Sequence, residues 1–371
     1  MKTLIDFSPI KSGGGAQLAL NFLTVLNEFK SGFGEVAILV SDRFPFLDRL
    51  SAHLEVVMAP GDPAGRLKFE WLALRTEIRR RGVTHVYTFF GPGLPKMSGV
   101  TQMVGVAYPI LCYDDSPYWS HLPFGRRTIT RLKNYARKRR LRGVDVLVFE
   151  TDIMRSRSIA AIGLDPSKCY VLAPTPTSFL KSSPLRPRPD GETRFLFLSG
   201  ADPHKNLWRL PGIFPKLLAE KHAARFWLSI TEEAFLKVCR DQGARVDRRL
   251  VREFVRFLGP VAADQIQTLY DQIDVVANIS DLESFSNNYL EGWLSGRPIL
   301  ASDRDFARSI CGGSAIFVEP HSETSLFDGV ALICRETAIA AQLAAVGQER
   351  LALLPSMEQR LRRLANLIVT N

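Results

Sequence analysis

Long apolar runs are missing from this 371-residue sequence. None approaches the roughly eighteen residues that a membrane-spanning helix needs, so a soluble or peripheral protein is expected. Cysteine is sparse: Cys112, Cys169, Cys239, Cys311 and Cys334 are dispersed and odd in number. That excludes a paired disulfide framework and fits reduced thiols in a cytoplasm. The amino end, Met1 to Asp6, lacks the apolar core of a signal peptide. No segment recurs at a fixed period, which excludes a solenoid. No zinc-like ligand spacing, nucleophile elbow or Ser/His/Asp order appears, so the common hydrolytic chemistries find no support.

What is present is ordinary globular material, 46% hydrophobic and 23% charged. The length suits two domains of roughly 180 residues each. Short apolar runs alternate with amphipathic helical segments from Lys2 to Phe149 and again from Arg194 to Val318. That is the pattern of parallel sheets covered on both faces. Between the two series, Ser182, Ser183, Pro184, Pro187, Pro189 and Gly191 mark an exposed linker. The expected organisation is an α/β domain over 1–180, a linker over 181–193, a second α/β domain over 194–354 and a terminal helical segment over 355–371. Charge divides unevenly: residues 1–185 hold 25 Lys and Arg against 15 Asp and Glu, whereas 186–371 hold 23 of each. The whole basic excess sits in the first half and implies an anionic partner there.

The most informative stretch is Asp281 to Trp293. An apolar strand, Ile273 to Ile279, runs into a polar turn, and Tyr289, Leu290, Trp293 and Leu294 then recur at helical spacing. Ser286 is a plausible cap, and Gly296-Arg297-Pro298 stops the helix. A helix start at the carboxyl end of such a strand favours phosphate. Glu283 and Glu291 flank it as acceptors for sugar and ribose hydroxyls. Two glutamates near a helix start are also common without any such role.

Glu283-x-Phe285-x5-Glu291, followed by Gly296-x-Pro298 and a short strand, resembles the signature of retaining glycosyltransferases of family four, glycosyl transferase group 1. The resemblance implies the GT-B fold, two Rossmann-like doubly wound domains facing a central cleft. It gives Glu283 the donor sugar, Glu291 the ribose, and the backbone of Ser284, Phe285, Ser286 and Asn287 the diphosphate. The family often has Gly where Ser286 stands and Ala where Gly292 stands. It implies that Gly13 and Gly14, in a glycine-rich loop after the first strand, close over the donor phosphates. It implies that Lys205, in the turn Gly200 to Asn206, grips the diphosphate. Ala201 replaces the family's arginine there. The nucleobase would meet Gly259 and Val261, and the terminal helix would cross back to the first domain. Glu283 and Lys205 are the implied catalytic pair, with front-face displacement and no metal or cofactor. The family's mid-domain histidine is missing from Val106 to Pro109, and His121 reads as a surface histidine.

The segment Tyr113 to Phe124 is aromatic and proline-rich and leads into a strongly basic helix. Tyr118, Trp119, Arg126, Arg127 and Arg131 read as exposed residues for an acceptor or an anionic membrane. A solvated surface helix fits the same residues, and nucleic acid is not expected, because no recognised motif accompanies the charge. The expected activity is transfer of a sugar from a UDP- or GDP-linked donor to a glycan or lipid-linked acceptor in surface polysaccharide biosynthesis. The expected place is cytoplasmic, at the inner membrane face. A nucleotide-sugar epimerase of the same fold, or a non-catalytic sugar- or nucleic-acid-binding protein, are the alternatives.

Overall fold

The computed structural model describes residues 1–11, 14–28, 31–50, 54–176, 180–183, 191–262 and 265–370. The chain divides into two compact units. One comprises 1–114, 124–175 and 355–371; the other comprises 115–123 and 176–354. The segment 115–123, read from sequence as part of the first half, belongs to the second unit.

The first unit is built on seven strands: β1 (Lys2–Asp6), β2 (Glu35–Ser41), β3 (Glu55–Ala59), β4 (His85–Thr88), β5 (Thr101–Gly105), β6 (Val146–Phe149) and β7 (Cys169–Val171). Their order is β3-β2-β1-β4-β5-β6-β7, and each adjacent pair is parallel. β6 shows why the runs are continuously apolar: Val146, Leu147, Val148 and Phe149 are all buried, as a strand covered on both faces requires. Two helix layers supply that cover. The helix Gly14–Glu28 buries Ala19, Phe22, Leu23 and Leu26 in one core with Ile5, Phe7 and Tyr87. Leu361, Leu364, Ala365 and Ile368 of the terminal helix Met357–Thr370 join that core. On the other face Leu74 and Ile78 pack with Leu4, Leu39 and Val86.

The second unit holds β8 (Thr193–Phe197), β9 (Ala224–Leu228), β10 (Val255–Phe257), β11 (Val275–Asn278), β12 (Ile299–Ser302) and β13 (Ala315–Val318). The order is β10-β9-β8-β11-β12-β13, again parallel throughout. In both sheets the strand order reverses beside the first strand, at β1/β4 and β8/β11. Open α/β sheets place ligands outside the carboxyl ends of strands at such a switch point.

Two helices depart from the sequence pattern. The spacing of Leu207, Leu210 and Leu217 reads as one helix, but they do not share one, because Pro211 cannot donate to an i−4 carbonyl. The chain instead forms two 3-10 turns, Pro203–Lys205 and Leu207–Gly212, before the helix Phe214–Ala219. Trp71 has helical spacing to Leu74 and Ile78, yet it lies at the end of the helix Pro63–Leu72, not in the following helix Leu74–Arg80, and is exposed. Among the described residues no single helix is long and apolar enough to cross a membrane.

Candidate functional site: the β8/β11 corner

Lys205 follows β8 and Glu283 follows β11, so the two sides of the switch point deliver one side chain each. Lys205 Nζ donates to Glu283 Oε1 at 2.6 Å, with the two side chains 19% and 15% exposed. Burial pushes the Glu283 carboxyl up, but the charge and hydrogen bond of Lys205, with His204 and Ser280, hold it below the usual range. Glu283 is therefore ionised at neutral pH. His204 is driven the other way: burial and the neighbouring Lys205 charge lower its pKa to about 4, leaving a neutral ring.

The turn is held by asparagines. Asn206 adopts a left-handed conformation, φ 59°, and its amide donates to Ile279 O at 3.0 Å. Asparagine is one of the few residues besides glycine that visit this region. Asn278 accepts from Ser280 N at 3.1 Å and donates to the Ser286 hydroxyl at 2.8 Å. Ser286 is the N-cap of the helix Asn287–Leu294, yet its hydroxyl makes no capping bond. The first-turn amides thus lack the side-chain partner that usually satisfies them, the arrangement that suits a bound anion. Asn288 anchors the same turn to β8 by donating to Leu198 O at 3.1 Å.

Behind the corner the helix is deeply set. Tyr289, Leu290, Gly292 and Trp293 are buried with Glu291. Glu291 Oε2 accepts the Tyr270 hydroxyl at 2.7 Å, and burial raises its pKa to about 7. Gly292 is pressed by Ile299; a Cβ would lie 2.6 Å from Ile299 Cδ1. Arg297 is buried as well, donating to Tyr270 O at 3.2 Å and to Ser183 O at 2.9 Å. The sequence marked it only as part of a helix stop.

The structure brings Lys205, Glu283, Ser284, Phe285, Ser286 and Asn287 to one corner of the second unit, with Glu291 one helical turn inward. Gly259 follows β10 in a left-handed conformation, φ 68°, and Val261 lies two residues on. Gly14 begins the helix after β1, whereas Gly13 lies outside the described residues. Arg126, Arg127 and Arg131 stand on the helix Phe124–Arg142 of the first unit.

Tyr118 and Trp119 are not the exposed aromatics that the sequence suggested. The turn Pro117–His121 folds onto the second unit, Trp119 is 6% exposed, and Tyr118 meets the His204 ring edge-on at 5.4 Å. His121 is no surface histidine either, since its Nε2 lies 3.3 Å from Asp281 Oδ2. Asp281 also takes hydrogen bonds from His321 and Arg304, and its backbone amide donates to His204 O at 2.8 Å. Burial would raise the Asp281 carboxyl; the bonds from His121, His321 and Arg304 overcome it and hold it far below the usual range. No local spacing signals this cluster, because its members are 40 and 160 residues apart.

Residues 192–336 match the family model of glycosyl transferases group 1. That segment spans β8 to β13 and contains both Lys205 and the Glu283-to-Glu291 stretch. Among curated proteins none matches the sequence significantly. Solved structures resemble the whole chain at low identity. WaaG, a glycosyltransferase involved in lipopolysaccharide biosynthesis, is 15% identical over 100% of both chains with a TM-score of 0.72. Alr3699/HepE from Anabaena, in complex with UDP and glucose, is 16% identical over 100% of both, TM-score 0.70. Sucrose-phosphate synthase from Thermosynechococcus elongatus is 15% identical over 100% of this chain and 98% of its own, TM-score 0.73. The likeness to solved structures extends over the whole chain and is that of the GT-B fold, and the second unit carries the segment that matches the glycosyl transferases group 1 model.

Proposed function

We propose that the chain is a retaining hexosyltransferase that moves a sugar from a UDP- or GDP-linked donor to a glycan or lipid-linked acceptor in surface polysaccharide biosynthesis. The observation that carries this reading is the Lys205–Glu283 pair beside the uncapped start of the helix Asn287–Leu294. Each partner has a better one on a nucleotide sugar. Lys205 turns to the diphosphate, which the helix amides also hold, and Glu283 is freed to accept hydroxyls of the donor sugar. Glu291 accepts a ribose hydroxyl with its ionised carboxylate.

In the reaction the bond from the anomeric carbon to the diphosphate oxygen breaks while the acceptor oxygen bonds to the same face. The acceptor proton passes to the departing diphosphate. No protein base is required, and the catalytic demand is stabilisation of negative charge on the leaving group, which Lys205 and the helix amides supply.

The solved complexes of the Anabaena protein with UDP and glucose, and the lipopolysaccharide role named for WaaG, support the donor class and the kind of product. The helix Phe124–Arg142 supports a lipid-linked acceptor at the inner membrane face. It exposes Phe124, Ile129, Leu132 and Tyr135 among Arg126, Arg131, Lys133 and Arg139. Apolar side chains in a basic helix suit an anionic headgroup layer.

The test is a panel of UDP- and GDP-hexoses offered with lipid extracts, the product's anomeric configuration being read by NMR. The expected product keeps the donor's configuration. Inversion would remove the retaining mechanism, and absence of donor consumption across the panel would remove the donor class.

A further inference from the structure

Among the described residues, His121, Asp281 and His321 bring three ligand atoms within 4.8 Å of one another. His121 ends the turn Pro117–His121, Asp281 follows β11, and His321 follows β13. Asp281 Oδ2 lies 3.3 Å from His121 Nε2 and 2.9 Å from His321 Nε2. A tetrahedral ion with bonds of ~2.0–2.1 Å sets its ligand atoms about 3.3 Å apart. Two edges of such a site are therefore near their metal-bound length.

The outer partners fit as well. Arg304 donates to Asp281 Oδ1 at 2.9 Å and so fixes the carboxylate, with His321 Nε2 2.9 Å from both its oxygens and His121 Nε2 nearest Oδ2. The Arg304 charge is met by Glu319 through bonds of 2.6 and 2.9 Å. His121 Nδ1 lies 3.0 Å from Gln242 Oε1, an acceptor that keeps a proton on Nδ1 when Nε2 gives up its own bond to Asp281 for a cation. His321 Nδ1 instead accepts from Arg209 at 3.1 Å. Metal binding there moves the ring proton from Nε2 to Nδ1, and Arg209 falls back on Asn206 Oδ1 and the Trp208 ring. The His321 side chain is 31% exposed, which gives an ion access from solvent.

We propose that His121, Asp281 and His321 bind one borderline divalent cation of the zinc class, with a fourth position for water. The ion clasps the turn Pro117–His121 to the ends of β11 and β13. Two imidazoles with one carboxylate suit Zn²⁺ or Co²⁺; Mg²⁺ prefers an all-oxygen set. The proposal goes beyond the sugar-transfer reading and is independent of it, since binding is read directly.

Chelator-treated full-length protein is titrated with Co²⁺ and then with competing Zn²⁺. The expected result is one equivalent of Co²⁺ with visible ligand-field bands and no thiolate band, displaced by one equivalent of Zn²⁺. His121→Ala and His321→Ala, each shown to be folded by circular dichroism, weaken Co²⁺ uptake at least ~10-fold. No stoichiometric uptake, unchanged uptake in either folded variant, or a cobalt–thiolate band marking a cysteine would overturn the site.

Discussion

Lys205 and Glu283 neutralise each other at 2.6 Å, and that pairing sets what happens when either is removed. Lys205→Ala deletes the side-chain cation available to a leaving diphosphate and leaves Glu283, a mostly buried carboxylate, without its strongest partner. By analogy with loss of one preorganised donor, turnover should fall ~10²–10³-fold. Steady-state kinetics with a saturating donor check this, and thermal unfolding separates it from loss of fold. Glu291 behaves differently because it is buried, with the Tyr270 hydroxyl donating to its carboxyl. Its pKa of about 7 lies above the ordinary carboxyl value. Between that value and pH 7 the folded chain holds a proton that the unfolded chain has released. Stability therefore falls as pH rises through this window and levels off above it, by roughly 3 kcal/mol at most. Donor affinity should rise over the same window, because the ionised carboxylate is the better acceptor for a ribose hydroxyl. Glu291→Gln should flatten both profiles, as read by unfolding and donor titration from pH 5 to 8.

At the level of elements, the helix Asn287–Leu294 is held from behind by Trp293, which packs against the helix Thr337–Ala352 at Gly347. A methyl on Gly347 would run into the Trp293 ring. Gly347→Ala should therefore destabilise the protein by about 1–3 kcal/mol despite the better helix propensity of alanine. Thermal unfolding measures the loss, and donor affinity should drop with it if the helix start shifts. The strands and the helix Asn287–Leu294 were legible in the sequence, because continuous apolar runs and three-and-four spacing report burial directly. The 3-10 turns around Pro211 were not, since leucine spacing there mimics one helix and the proline effect outweighs it. The short strand β7 also escaped notice, as three residues carry no periodicity.

Across the whole molecule, the basic excess of the first 185 residues finds its expression in the helix Phe124–Arg142. Each basic residue near an anionic headgroup layer is worth a ~5-fold gain in affinity. Arg126→Glu with Arg131→Glu should therefore reduce binding to vesicles rich in anionic lipid by at least ~25-fold, with little change for neutral vesicles. Sedimentation of the protein with each vesicle type tests it. The Lys205-to-Glu291 corner was legible because its residues lie near two strand ends and resemble a known signature. The His121, Asp281 and His321 cluster was not, because three distant turns meet only once the sheet is formed. Trp119 was misread for the same reason: its turn carries no mark of the unit on which it packs. If the β8/β11 corner binds and activates the sugar nucleotide, its two carboxylates must act on the donor in different ways. The most direct measurement is donor kinetics of the wild type beside Glu283→Ala and Glu291→Ala. Glu291→Ala should mainly raise the donor KM and Glu283→Ala mainly lower kcat; unchanged kinetics in both variants would contradict donor binding at this corner.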